Sequence, residues 1–138
     1  MVTITYDFIT KLINLKNGNE IKLKILDTPG IERLRSMAKN LSEGAHYIVF
    51  GYDINDRISF KNIRNWLELT SFNIIDNSRL GYLIGYKIDQ YEDREVSEDE
   101  GRVLANELNL HFFEISSKDD IGIEEFYDDL INEILNNF

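Results

Sequence analysis

The chain has 138 residues, 43% of them hydrophobic, with 25 acidic against 15 basic side chains and a net charge of −10. That length supports one domain around one core, and the acidic balance argues against nonspecific binding to nucleic acid or to an anionic membrane. With no cysteine in the sequence, a disulfide framework, a thiolate metal site and a cysteine-borne lipid anchor are excluded for these residues.

Residues 2–14 alternate loosely and are rich in β-branched and aromatic types (Val2, Ile4, Tyr6, Phe8), which predicts a strand. Asn17-Gly18 marks a tight turn, and residues 20–26 read as the returning strand of a β-hairpin. Asp27-Thr28-Pro29-Gly30 closes that strand, and residues 32–44 read as a short, irregular helix. The run from His46 to Tyr52 is continuously apolar, the pattern of a strand buried on both faces. Phe60, Ile63, Trp66 and Leu67 share one helical face, and residues 80–85 form a further buried strand. The acidic stretch from Asp89 to Glu100 reads as a solvated face. It ends in Ser97-Glu98-Asp99-Glu100, a capping box whose helix continues through Val103, Leu104 and Leu108. Residues 112–115 are the last strand, and Ile123, Phe126, Leu130 and Ile134 lie on the apolar face of a final helix. Trp66 and the strand aromatics are assigned to the core, and His46 and His111 to strand ends.

Strands alternating with helices predict an α/β fold. The expected architecture is a doubly wound, mostly parallel sheet with an antiparallel N-terminal hairpin, in a single domain over residues 1–138. In such sheets ligands bind beyond the carboxyl ends of the strands. Three of those ends carry polar clusters: Asp27-Thr28-Pro29-Gly30, then Gly85-Tyr86-Lys87-Ile88-Asp89, then Ser116-Ser117-Lys118. An aspartate after a strand is, taken alone, as often a cap or turn residue as a ligand. The three clusters together, in order, point to ancestry in a nucleotide-binding family.

These residues resemble the small GTPases of the Ras superfamily, the Rab branch most closely. The resemblance runs from Thr3 to the final helix. Thr3-Ile4-Thr5-Tyr6-Asp7-Phe8 is similar to the switch I segment, and residues 27–36 are similar to switch II. Gly44-Ala45, residues 52–57 and Asn65-Trp66-Leu67 continue the pattern. The resemblance implies a G-domain, GTP or GDP with Mg²⁺ as cofactors, and a switch in vesicle traffic. At the matching positions Thr3 and Asp27 would hold Mg²⁺, and the Gly30 N–H would meet the terminal phosphate. Asp89 would accept hydrogen bonds from N1–H and the 2-amino group of guanine, a donor pair that adenine lacks. The Lys87 stem would lie over the base, with Ser116, Ser117 and Lys118 beside it.

The sequence also departs from that pattern. The family's phosphate loop, GxxxxGK(S/T), does not occur in the 138 residues. Ile31 stands where the family's water-orienting Gln falls, and its side chain has no donor or acceptor. Tyr86 stands at the Asn of NKxD. Among the positions of the Rab effector-binding aromatics, Phe8 matches, but Leu26 and Leu41-Ser42 do not.

A base edge alone supplies a few charge-assisted hydrogen bonds of about 1.5–3 kcal/mol each, which after ordering costs suggests millimolar rather than nanomolar dissociation. The chain as written is therefore expected to bind nucleotide weakly and not to hydrolyse it. The alternative is a nucleotide-free pseudo-GTPase acting as a protein-interaction module. Either way the expected partners are proteins, not nucleic acid. The expected location is cytoplasmic, reaching the cytosolic face of membranes only through a partner, since residues 1–5 carry no leader and residues 135–138 no lipid-anchor cysteine. Without the strand that normally separates 20–26 from 46–52, two strand edges lack a partner. Upstream residues, direct pairing of 20–26 with 46–52, or self-association through the exposed edges would each resolve this.

Overall fold

The computed structural model of the chain describes residues 7–27, 45–70 and 80–137. The chain divides into two compact units, Met1–Ala38 and Lys39–Phe138. In the first, β1 (Asp7–Asn14) and β2 (Glu20–Asp27) form an antiparallel pair with Asp7 opposite Asp27 and Asn14 opposite Glu20. Leu15 N–H donates to the Asn19 carbonyl at 2.8 Å, and Gly18 takes φ +85°, a conformation that favours glycine. The Asn17 side chain accepts from Asn19 N–H at 3.0 Å, so the Asn17-Gly18 turn is built from the residues that predicted it. Phe8 and Leu26 stand opposite each other in this register.

The second unit is a three-stranded parallel sheet ordered β3 (Tyr47–Asp53), β4 (Leu80–Tyr86), β5 (His111–Ile115). Helices cover both of its faces, as a doubly wound sheet requires. Phe50, Tyr52 and Leu83 point to one face, against Ile63 and Leu67 of α2 (Ile63–Leu69) and Leu104 and Ala105 of α3 (Glu98–Glu107). Tyr82 points to the other face, edge-on to Phe126 of α4 (Ile123–Asn137) with ring centroids 5.1 Å apart. The Tyr82 hydroxyl donates to Asp129 Oδ2 at 2.8 Å, and His111 Nδ1 lies 2.9 Å from the same oxygen. His111 is thus a strand-start residue that also anchors α4. Among the described residues no strand pairs with the outer edge of β3, and Val49 on that strand is half exposed.

The helix expected through Phe60 and Trp66 is two short helices, α1 (Arg57–Lys61) and α2, meeting at Asn62. Asn62 keeps right-handed helical angles (φ −73°, ψ −11°). Its N–H donates to the Ile58 carbonyl and its carbonyl accepts from Trp66 N–H, both at 3.0 Å. The chain at the junction therefore keeps helical hydrogen bonding on both sides of Asn62. The expected helix over 32–44 and the switch residues Thr3, Gly30 and Ile31 lie outside the described residues.

The capping box is present: Ser97 Oγ accepts from Glu100 N–H at 3.2 Å, and the Glu100 carboxylate accepts from Ser97 N–H at 2.9 Å. The same carboxylate takes a two-pronged contact from Arg57, at 2.8 and 3.1 Å, which joins the start of α1 to the start of α3. The Arg57 hydrogen bonds, then the Ser97 N–H, hold the Glu100 carboxyl down from 4.5 to about 2. A carboxyl whose pKa is lower folded than unfolded contributes stability that is full above the unfolded value and is lost as pH falls through the folded one. Chemical unfolding followed between pH 4.5 and about 2 should therefore show an acid-dependent loss that Glu100→Gln flattens. An unchanged slope in the variant would remove the pair from that role.

Gly101 in α3 has a separate reason. A Cβ there would stand 2.4 Å from Tyr52 Oη and 2.7 Å from the Phe112 ring. Tyr52 is 1% exposed and cannot swing away. Alanine gains about 1 kcal/mol over glycine in a helix, while overpacking a filled core costs about 1–3 kcal/mol. Gly101→Ala should lower the melting temperature despite its better helix propensity; a higher melting temperature would show that the contact yields.

Candidate functional site

The candidate site occupies the carboxyl ends of β3, β4 and β5. Parallel pairing sets it: Asp53 stands opposite Tyr86, and Tyr86 opposite Ile115, so the three loops leave the sheet side by side. The loop after β4 begins at Lys87, which adopts left-handed angles (φ +68°, ψ +34°). That is uncommon for a residue with a side chain and costs roughly 1 kcal/mol. It turns the chain sharply into a 3₁₀ segment, Ile88–Asp93, with Gln90 N–H donating to the Lys87 carbonyl at 2.9 Å. Arg94 beyond it pairs with Glu114 of β5 at 2.9 Å, closing the far side of the loop onto the sheet.

Asp89 lies in this segment, half-buried, and its Oδ1 accepts from Ser116 Oγ at 2.8 Å. Ser116 is fully buried. Its backbone exchanges two hydrogen bonds with Ile121, both 3.0 Å, and its hydroxyl oxygen accepts from Asp119 N–H at 3.1 Å. The serine is thus fixed at three points and in turn fixes the aspartate. Each carboxylate oxygen has two lone pairs, so Asp89 keeps acceptor capacity for up to three further donors. Ser117 and Lys118 are exposed in the turn that follows, which ends at Gly122 with φ +77°.

Lys87 points toward the β3 end. Its Nζ contacts Asp53 Oδ2 at 2.7 Å, while Asn55 N–H donates to Asp53 Oδ1 at 2.9 Å. Asp53 lies within residues 52–57, which continue the family pattern but carry no role there. Burial raises its pKa, but the Lys87 and Asn55 hydrogen bonds outweigh this and lower it; Asp53 in turn raises Lys87. Both groups are charged at neutral pH. Tyr86 packs its ring against Gly51: a Cβ on Gly51 would stand 1.9 Å from Tyr86 Oη. The large side chain in place of the family's amide is therefore seated where β3 has no side chain.

The structure brings together Lys87, Asp89 and Ser116, with Ser117 and Lys118 adjoining. Asp27 ends β2, but Thr3 and Gly30 lie outside the described residues, so the expected Mg²⁺ pair is not placed. No group of three or more His, Asp or Glu suited to a metal occurs among the described residues. Nor is any described helix long and apolar enough to cross a membrane. For a guanine base the donor chemistry fits: a carboxylate held by a buried hydroxyl, beside a lysine stem, at the strand ends.

The sequence profile of the Ras family matches residues 1–136. The chain is 38% identical over 136 residues to the GTP-binding protein yptV2 of Volvox carteri, covering 98% of this chain and 62% of that one. It is 39% identical over 133 residues to the Ras-related protein RABD1 of Arabidopsis thaliana (96% of this chain, 63% of the relative). With the Ras-related protein RabC of Dictyostelium discoideum it shares 32% over 133 residues (96% and 67%). The chain thus spans somewhat under two thirds of the length of several relatives it matches.

Proposed function

The chain belongs to the Ras family of small GTPases and is Rab-like, and we propose that residues 1–138 act as one G-domain whose strand ends read guanine. Asp89 accepts from the guanine edge, the Lys87 stem covers the base, and Ser116, Ser117 and Lys118 complete the base site. The observation that carries this is the 2.8 Å hydrogen bond from buried Ser116 to Asp89, which orients the carboxylate before any ligand arrives. Thr3 and Asp27 would hold Mg²⁺, which supplies charge neutralisation at the phosphates, and Gly30 would donate to the terminal phosphate. The family role is a GTP/GDP-controlled switch in vesicle traffic, cytoplasmic and acting through protein effectors and regulators.

Two features set this chain apart. Within its 138 residues there is no GxxxxGK(S/T), so tested on its own it grips phosphate weakly. Ile31 cannot orient water, so it does not hydrolyse GTP at a family rate. Those features, with the Tyr86 ring on Gly51, favour a second reading in which the fold serves as a nucleotide-free protein-interaction module. A titration with fluorescent GDP and GTP, with and without Mg²⁺, separates the two. Weak binding supports the first reading and none supports the second; tight, Mg²⁺-dependent binding would contradict both. Molecular mass measured on the same sample tests self-association through the β3 edge.

A further inference from the structure

We propose that Asp53 is a positioning residue that holds the Lys87 ammonium away from Asp89, so that the Asp89 carboxylate stays open to the guanine edge. The inference rests on the base-reading role given to Asp89 above. Lys87 and Asp89 are two residues apart on one tight loop, and the Asp89 and Asp56 carboxylates both act on the Lys87 ammonium across space. An ammonium on so short a loop has Asp89 as the alternative partner to Asp53. If it settled on Asp89, it would offset the carboxylate's charge and crowd the oxygens that guanine N1–H and the 2-amino group must approach. In the structure it settles on Asp53, at 2.7 Å.

Asp53 is built to win that competition. It is the last residue of β3, opposite Tyr86, so its carboxylate stands one residue from Lys87 across the parallel pair. Its backbone N–H donates to Ser59 Oγ at 3.0 Å, and its Oδ1 accepts from Asn55 N–H at 2.9 Å. Its side chain is 26% exposed, against 54% for Lys87. The acid is the fixed partner and the lysine the one that is steered. With the ammonium drawn to β3, the four methylenes of Lys87 are free to lie along the base, which a lysine bent onto Asp89 could not provide. A purely structural tie between two loops predicts loss of stability on breaking the pair, but no change in which base is preferred.

The test uses the full chain and titrates it with GDP and with ADP, for the wild type, Asp53→Asn, and Asp53→Asn combined with Lys87→Met. Asp53→Asn is expected to lower the GDP-over-ADP ratio about tenfold, the effect of one charge-assisted hydrogen bond at the base edge. Lys87→Met in that background keeps an apolar stem and removes the ammonium, so the ratio should recover. Thermal melts of all three confirm that the fold is intact. An unchanged ratio in Asp53→Asn, with a wild type that prefers GDP, overturns this inference and leaves the base-reading role standing. A reduced ratio that Lys87→Met fails to restore also overturns it. A wild type with no preference for GDP overturns the base-reading role itself, and this inference with it.

Discussion

Gly122→Ala is expected to cost about 3 kcal/mol of stability, a large share of the roughly 5–15 kcal/mol typical of a domain. Gly122 sits at φ +77°, where an alanine is strained by about 1–2 kcal/mol. Its Cβ would also stand 2.4 Å from the carbonyl oxygen of Glu114, a backbone atom of β5 that cannot rotate aside. Relieving that contact means moving the turn from Ser116 to Ile121, whose two backbone hydrogen bonds fix the buried serine. Overpacking of this kind adds about 1–3 kcal/mol. Gly18→Ala is the control: φ is +85° there, but nothing lies within 4 Å of the new Cβ. Denaturant unfolding should show a clearly larger loss at Gly122 than at Gly18. Equal losses would mean that conformation alone, and not the contact with β5, explains the glycine.

Asp89→Ala is expected to erase the preference for guanine over adenine. Two charge-assisted hydrogen bonds at about 1.5 kcal/mol each amount to roughly a hundredfold, all of it carried by this carboxylate. The variant also leaves the Ser116 hydroxyl without its acceptor, which costs on the order of 1 kcal/mol in stability, so melts must accompany the binding data. Competition between guanosine and adenosine nucleotides reads the preference directly. A variant that still favours guanine would move base recognition elsewhere, to the Ser117 and Lys118 backbone.

Local features were the legible ones. The Asn17-Gly18 turn and the Ser97–Glu100 capping box each complete themselves within a few residues, so residue type and spacing suffice. The polar ends at Lys87–Asp89 and Ser116–Lys118 were legible because parallel topology puts such ends together, as the Ser116–Asp89 hydrogen bond illustrates. What escaped were partners chosen by the sheet. Asp53 meets Lys87 only because β3 and β4 pair with Asp53 opposite Tyr86, 33 positions apart in sequence by the residue numbers. Gly101 and Gly51 escaped for the same reason: each makes room for a tyrosine from another element. The break at Asn62 carries no glycine or proline and keeps helical angles, so composition gave no sign of it. The signal for Asp53 was its place at the end of an apolar strand run, where a charged side chain needs a partner.

If these strand ends read guanine through Asp89, the base perturbs the residues around that carboxylate. Titration of the full chain with GDP and, separately, ADP, following the backbone amide resonances of Asp89, Ser116 and Lys118, shows whether it does. GDP is expected to move all three with a dissociation constant in about the millimolar range, and ADP to leave them in place. Equal shifts with ADP, or none with GDP, would contradict that role for Asp89.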